Sequence, residues 1–281
     1  MTTAAFPQPS HAVSHSKFMP GCSLSVRRAC ALASLFAVSA APIGAQGDGI
    51  SGRPLQTTET LHYSIEWRLI TAGAAQMKLA PADAAKSTEW LATVHVESAG
   101  LVSKLYKLND NYSVRFEEPF CSTDSSLDAQ EGKKHHETKV SYDRVHQNAT
   151  YVERDVLKNT TIANKQIPTP PCVADVITGL YKLRSMRVEP GQSIQIPTSD
   201  GKKSAMVRVE AQEREEIKNR LGNFKTIRYE AYLFNGVIYS KKASMQIWLT
   251  DDARRLPVQI RARMPFPIGN ITLELEKEEH S

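Results

Sequence analysis

Residues 61–69 read LHYSIEWRL, and their pattern indicates the fold class. Apolar residues at positions 61, 63, 65, 67 and 69 alternate strictly with polar or charged residues. Successive side chains of a β-strand point to opposite faces, so this alternation predicts a strand that is buried on one face only. An antiparallel sheet with one solvated face fits this pattern, whereas a buried parallel sheet does not.

The same period of two recurs as far as residue 277. Further alternating runs lie at residues 94–97, 227–233, 245–249, 256–263 and 271–276. Turn signals such as Ala72-Gly73 and Asn235-Gly236 separate the runs at intervals of about 8–15 residues, a rhythm typical of all-β folds. We predict one mainly β domain over 59–277, a large curved antiparallel sheet that forms a half-barrel or a barrel-like meander. Residues 278–281 are predicted to be a tail.

One segment has a helical period instead. Apolar residues at 173, 176, 177, 180 and 183 form an amphipathic stripe after Pro170-Pro171. This spacing predicts a helix at about 173–186. A short helical turn is also expected near Leu101–Leu105.

The first 45 residues have the three parts of a secretory signal peptide. Arg27-Arg28 close a basic region, residues 29–40 form an apolar stretch, and small residues end at Ala45. Twelve apolar residues are too few to span a bilayer, which takes about 20. We predict export to the periplasm or cell envelope, with cleavage after Ala45 or alternatively Ala40 or Ala41. The competing interpretation is a retained signal anchor. Residues 46–58 are expected to be a flexible lead-in, and no transmembrane span is predicted after it.

The charge pattern argues against a nucleic-acid partner. The net charge of the 281 residues is +5, and the leader contributes three bases and no acid, which leaves 32 bases and 30 acids in the rest of the chain. Nucleic-acid binders usually concentrate their bases on one face, whereas bases and acids are interleaved here. The hydrophobic content of 41% and charged content of 23% are those of a globular protein and exclude wholesale disorder.

Two of the four cysteines, Cys121 and Cys172, lie outside the leader. Exported proteins often pair such residues, and a bridge that closes a loop of about 50 residues would add roughly 3–4 kcal/mol of stability. Two unpaired thiols are the alternative. No C-x-x-C pair is present, so a zinc site is not predicted.

Several motifs together resemble a known family. They are IWLTDDARRLPV at 247–258, ADVITGLYKLR at 174–184, LGNF at 221–224 and YSIEW at 63–67. The chain resembles exported bacterial proteins of the domain-of-unknown-function family 3108 over about residues 59–277. This resemblance implies an envelope protein with a mainly antiparallel β fold, and it supplies no reaction and no catalytic residues.

The motif at 247–258 also has a structural explanation. Asp251 and Asp252 predict a tight turn that Arg254 and Arg255 complete, because Asp accepts backbone hydrogen bonds in turns. Pro257 cannot donate a ladder hydrogen bond, so an edge or a bulge is expected there. Trp248 points away from its apolar neighbours 247 and 249. Either the second face of this strand is covered, or Trp248 lines a groove.

No catalytic motif is recognisable, and no cofactor or metal is predicted. The sequence has no G-x-S-x-G, P-loop or G-x-G-x-x-G pattern. His135 and His136 are adjacent on a predicted strand and therefore face opposite sides. Four carboxylates could in principle form an acid/base pair, although nothing in the sequence brings them together: Glu66, Asp175, Asp251 and Asp252.

Three functions remain open at this point. The first is a non-catalytic envelope protein that binds a lipid, an acyl chain or an extended peptide in a curved β cradle. The candidate lining residues are Tyr63, Trp67, Tyr181 and Trp248, each of which could instead be plain core. The second is a structural or assembly protein that acts on a protein partner through a sheet edge. The third is a hydrolase with a carboxylate pair.

Overall fold

A computed structural model describes residues 58–68, 70–83, 86–240, 243–265 and 269–280. The predicted leader and most of the predicted lead-in lie outside these residues. The described chain has fourteen strands: β1 Glu59–Trp67, β2 Ile70–Asp83, β3 Lys86–Ser98, β4 Leu108–Glu117, β5 Cys121–Glu131, β6 Lys134–Asp143, β7 Asn148–Asp155, β8 Thr160–Pro168, β9 Ser193–Ser199, β10 Ser204–Asn219, β11 Gly222–Ala231, β12 Ser244–Thr250, β13 Pro257–Arg263 and β14 Asn270–His280. Two helices accompany them, α1 Gly100–Leu105 and α2 Val176–Ser185. Neither helix is long and apolar enough to cross a membrane.

All fourteen strands belong to one antiparallel sheet. The order runs from β8 back to β1, continues through β14, and then runs back to β9. The sheet is open, with β8 and β9 at its two edges. The turn between β9 and β10 nevertheless reaches the other half, because Lys202 Nζ lies 3.2 Å from Glu153 Oε2 on β7. The sheet therefore curls, and the predicted curved, mainly β fold is confirmed.

Helix α2 packs against the inner face of the curl. The side chain of Asp175 accepts hydrogen bonds from the backbone N–H groups of Ile177 (3.1 Å) and Thr178 (2.8 Å), as an N-cap does. The helix thus begins at Val176, three residues later than the apolar stripe predicted. The segment before it is extended, since Ala174 N–H donates to Pro197 O on β9. The predicted turn near Leu101–Leu105 is α1.

Most of the buried apolar side chains form one core between α2 and the strands around β1 and β9–β14. Its largest fully buried members include Tyr63, Tyr181, Tyr229, Leu249 and Leu256. A second, smaller cluster joins Val140, Tyr142, Ala149 and Tyr151 of β6 and β7 to Val173, which precedes α2. The inner face is consequently well filled on one side and sparsely filled on the other.

The first predicted turn is shifted by the structure. The chain reverses at Arg68, which has a positive φ of 50°, and Ala72-Gly73 lies inside β2 instead of in a turn. A Cβ atom at position 73 would sit 2.1 Å from the carbonyl oxygen of Glu97 on β3. Glycine is therefore required there by close strand approach.

The end of the chain also differs from the prediction. Strand β14 continues to His280, so residues 278–280 are not a tail. His280 pairs with Glu59 and Glu278 pairs with Leu61 in the ladder with β1. The alternation stops near residue 277, but backbone pairing does not depend on it.

Cys121 and Cys172 form a disulfide across 51 residues. The bridge connects the start of β5 with the segment that precedes α2. Beside it, Ser122 N–H donates to Val173 O at 2.9 Å. The covalent bond thus joins the sparsely filled side of the sheet to the helix.

Candidate functional site

A cavity of about 730 Å³ occupies the inner face of β5, β6 and β7. The N-terminal turn of α2, the β9–β10 turn and residues 238–240 close it from the other side. Ser125, Leu127 and Ala129 of β5 alternate along its wall, as expected for one face of a strand. The cavity therefore follows the strand direction.

Apolar and aromatic side chains provide most of the lining. They come from seven parts of the chain: Val94, Tyr112, Leu127, Ala129, Val140, Tyr142, Tyr151, Val176, Ile177, Ile238 and Tyr239. Ligand sites in proteins are typically concave, mainly apolar and about 300–1,000 Å³ in volume. The cavity meets these criteria.

At one end of the cavity, Asp175 is held in place by the fold. It accepts a hydrogen bond from Tyr112 Oη (2.6 Å) in addition to the two helix N–H groups. Burial, followed by the nearby Asp175 carboxylate, raises the pKa of Tyr112 well above its usual value. Tyr112 therefore stays protonated and donates. The carboxylate of Asp175 therefore caps α2 and has a structural role in this arrangement.

Along one wall, Glu153 connects β7 to the β9–β10 turn. It accepts from Tyr151 Oη (2.6 Å) and from Lys202 Nζ (3.2 Å), and His136 Nδ1 lies 3.6 Å away. Burial opposes ionisation of Glu153, but the hydrogen bonds from Tyr151 and Lys202 outweigh it and lower the pKa of the carboxyl. The Lys202 ammonium also lies 4.8 Å from the centre of the Tyr151 ring. These contacts hold the turn on the sheet.

Polar groups of the β9–β10 turn stabilise its conformation. Asp200 accepts the backbone N–H groups of Lys202 and Lys203, each at 2.9 Å. The ammonium group of Lys203 donates a hydrogen bond to the carbonyl oxygen of Gly236. Burial, with the charges of Asp200 and Asp175, raises the pKa of Tyr239 to about 12. The charged side chains of this turn thus have partners within the protein, and the lining surface as a whole is mainly apolar.

None of the four residues proposed from sequence as ligand-lining belongs to this cavity. Tyr63 and Tyr181 are buried in the main core, where Tyr63 Oη donates to Pro257 O at 2.9 Å. Trp248 is buried too, and its Nε1 donates to Glu215 Oε2 at 3.0 Å. Trp67 is half-buried at a sheet end. Alternation correctly placed Tyr63 on the inner face, but α2 fills that part of the inner face.

Trp248 lies on a strand that is covered on both faces. The guanidinium of Arg261 stands 5.2 Å from its ring centre. The sequence left two alternatives for Trp248, a covered second face or a groove. The second face of β12 is covered, and Trp248 does not line a groove. Pro257 is the first residue of β13, and the ladder with β12 shifts register beside it. The expected bulge at Pro257 is confirmed.

The four carboxylates proposed as an acid/base pair have separate roles. Asp252 accepts from Thr250 Oγ1 (2.7 Å) and from Arg254 N (3.0 Å), so it closes the signature turn. Asp251 binds Arg214 Nε at 2.8 Å, and Asp175 caps α2. Glu66 lies near Glu274, whose pKa is raised by burial and then by the Glu66 charge. Arg255 completes the turn with a positive φ and binds Tyr229 Oη at 2.6 Å.

Within the described residues, no three His, Cys, Asp or Glu side chains gather as a metal site would require. His135 binds Asp128 (2.8 Å), while His136 lines the cavity. The two histidines therefore face opposite sides, as the strand pattern predicts.

The sequence reasoning missed the cavity wall on β5. The strand reads CSTDSSLDAQE, and its inward residues are mostly small or weakly polar. Alternating small residues in a strand are a usable signal for a face that is not tightly filled. That signal is weak, because such residues are also common on exposed faces.

Comparison with known proteins identifies the family of this chain. A model of the family described as protein of unknown function (DUF3108) matches residues 62–276. The chain belongs to this family. No curated protein matches the chain significantly.

Solved structures show the fold of this DUF3108 member. A β-barrel-like protein of family DUF1849 from Brucella abortus has a TM-score of 0.52 at 6% identity, over 80% of this chain and 98% of that chain. A protein from Bacteroides fragilis with a YmcC-like fold has a TM-score of 0.36 at 9% identity, over 82% of this chain and 99% of that one. At these identities the first similarity supports a β-barrel-like fold and nothing further.

Proposed function

We propose that this DUF3108 protein is an exported, non-catalytic protein of the periplasm or envelope that binds one lipid or acyl chain in its cavity. The observation that carries the proposal is the cavity of about 730 Å³ with a mainly apolar lining. The leader, cleaved near Ala45, supports export. An extended peptide with apolar side chains is the other ligand that such a space could hold.

The energetics favour a long chain. Each buried methylene contributes about 0.8 kcal/mol. Association costs roughly 4–15 kcal/mol in lost freedom. About 5–19 methylenes only offset this cost, so stable retention requires a long acyl chain. Because Glu153, Lys202 and Lys203 of the wall already have partners within the protein, we expect the apolar tail to supply most of the affinity.

Native mass spectrometry of the exported protein, purified without detergent, tests this proposal directly. We expect an adduct of lipid mass that is lost on denaturation. A clean apo mass, together with failure to bind a dansyl-labelled fatty acid, would contradict the proposal.

A matched pair of substitutions assigns the binding to the cavity. Thr138 lines the cavity, whereas its neighbour Lys139 is exposed on the other face of β6. We expect Thr138→Trp to fill the cavity and weaken dansyl fatty acid binding at least tenfold. Lys139→Trp should leave the affinity unchanged. Equal effects of the two variants would place the binding elsewhere.

One observation favours the alternative function, assembly with a protein partner. Edge strand β8 is largely exposed, and no other strand among the described residues pairs with its outer edge. Such an edge can accept a strand from another chain. The mass of a complex with a polypeptide in the same native spectrum, without a lipid adduct, would favour this function.

A further inference from the structure

Exposed apolar side chains are concentrated at one end of the sheet. Of the large hydrophobic residues that are exposed in the described chain, six lie in or directly beside the β1–β2, β3–β4 and β7–β8 connections at this end: Ile70, Leu101, Leu105, Tyr106, Val156 and Leu157. Leu101 and Leu105 of α1 are 64% and 76% exposed, and α1 has no buried residue. We call this end of the molecule the α1 end.

Backbone contacts bring these connections together. Ala99 N–H, just before α1, donates to Ala72 O on β2 at 2.8 Å. Gly132 N–H, in the β5–β6 turn, donates to Lys107 O at 2.7 Å. Val156 N–H donates to His135 O at 2.9 Å, which places the β7–β8 turn next to the β5–β6 turn. The exposed apolar residues therefore share one surface.

Unpaired lysines surround the apolar residues. Lys104 and Lys107 flank Leu105, Lys133 lies in the adjacent β5–β6 turn, and Lys134 begins β6. All four are exposed, and none forms an ion pair with any described residue. Helix α1 contains no acidic residue.

The opposite end of the sheet has a different charge arrangement. There Arg144 binds Glu117 at 2.9 Å, and Arg254 binds both Asp252 (3.0 Å) and Glu278 (3.1 Å). These two arginines are neutralised by neighbouring acids. Lys218 and Lys225 at that end form no ion pair with a described residue either, but the exposed aliphatic side chains there, Val145 and Leu221, lie in two separate turns. The α1 end differs because it gathers several exposed apolar side chains beside its lysines.

We propose that the α1 end docks on an anionic lipid bilayer. Aliphatic and aromatic residues on protruding connections can enter the headgroup region, while lysines beside them attract anionic lipid phosphates. Lysine stems are long enough to keep the ammonium group at the headgroup level when their neighbours are inserted. An exposed apolar patch with a cationic rim matches an anionic bilayer better than it matches an uncharged partner surface.

The position of the cavity gives the docking a consequence. Glu131 lines the cavity, and Tyr106 Oη at the α1 end lies 3.5 Å from its carboxylate. The cavity thus extends to the docking surface, and a chain could pass between bilayer and cavity there. The docking itself does not depend on the proposed function, because the surface lies outside the cavity.

Vesicle flotation tests the docking. The exported protein is mixed with vesicles of phosphatidylcholine alone or of phosphatidylcholine with an equal amount of phosphatidylglycerol. We expect binding to the anionic vesicles only, weakened at high salt. Lys104→Gln and Lys107→Gln should each lower the partition coefficient about fivefold. Leu101→Ser and Leu105→Ser should each lower it about tenfold.

Matched substitutions at the opposite end are the controls. Lys218→Gln and Lys225→Gln remove exposed lysines there, and Val145→Ser and Leu221→Ser remove exposed apolar side chains. These four variants should bind vesicles like the unmodified protein. Absence of binding, equal binding to both vesicle types, or equal losses in test and control variants would overturn the proposal. Because none of the substituted residues lines the cavity, these losses are distinguishable from a failure of the dansyl fatty acid titration.

Discussion

The inner face of the sheet has two regions that differ in how they are filled. In the packed region, β9–β14 and β1 lie under α2, and side chains such as Tyr181, Leu249 and Leu256 are almost completely buried. In the cavity region, β5–β7 present Ser125, Leu127 and Ala129 to an open space. The same sheet therefore makes a solid core on one side and borders an open cavity on the other.

The difference follows from dimensions. Fourteen strands have thirteen spacings of about 4.8 Å, which gives a sheet roughly 62 Å wide. Helix α2 has ten residues and is about 15 Å long, so it covers only part of the curled face. The β9–β10 turn reaches across the rest without filling it. One short helix inside a large curl thus leaves a cavity without any special lining sequence.

Breaking the ion pair of the packed region should have the largest effect. Arg184 on α2 binds the Glu59 carboxylate, and the two side chains are only 10% and 8% exposed. Glu59→Gln leaves a buried guanidinium without its counter-charge, so we expect a loss of about 3–5 kcal/mol in the free energy of unfolding. Urea denaturation measures this loss.

A double variant provides the control for this prediction. Glu59→Gln with Arg184→Met removes both charges and should recover part of the lost stability, since no uncompensated charge remains. If the single variant loses less than about 1 kcal/mol, the ion pair does not anchor α2 and the packed region owes its order to apolar contacts alone.

Leucine truncations compare the two regions directly. Leu249 is fully buried in the main core, and Leu249→Ala should cost about 2–5 kcal/mol because it creates a new cavity. Leu127 already borders open space, so Leu127→Ala in ligand-free protein should cost less than about 1 kcal/mol. Both values come from urea denaturation of delipidated protein. Similar losses for the two variants would mean that the cavity is filled in solution.

Local patterns explain how much of this fold was predictable. Alternation at 61–67 and the stripe at 176–183 depend on neighbouring residues, so the strand and α2 were found from sequence. The cavity depends on contacts between distant segments, such as Lys202 with Glu153, and no local pattern encodes them. The lining prediction for Tyr63 and Tyr181 missed the cavity for this reason: the inner face was identified, but not the part of it that α2 covers.

The smallest effect is expected at the contact that closes the cavity region. The lowered pKa of Glu153 means that its ionised form is stabilised in the folded state. That contribution is complete above the unfolded value of about 4.3 and is lost as the pH falls through the lower folded pKa. Glu153→Gln should therefore cost under about 1 kcal/mol at pH 7 and nothing at the acid limit, as measured by urea denaturation across pH. Hydrogen exchange at residues 201–203 should accelerate in this variant, since Lys202 loses its charged partner, whereas Glu137→Gln on the neighbouring strand should leave exchange there unchanged. A pH-independent loss would show that Glu153 acts through packing, and the β9–β10 turn would then be held by Tyr151 and the backbone instead of by charge.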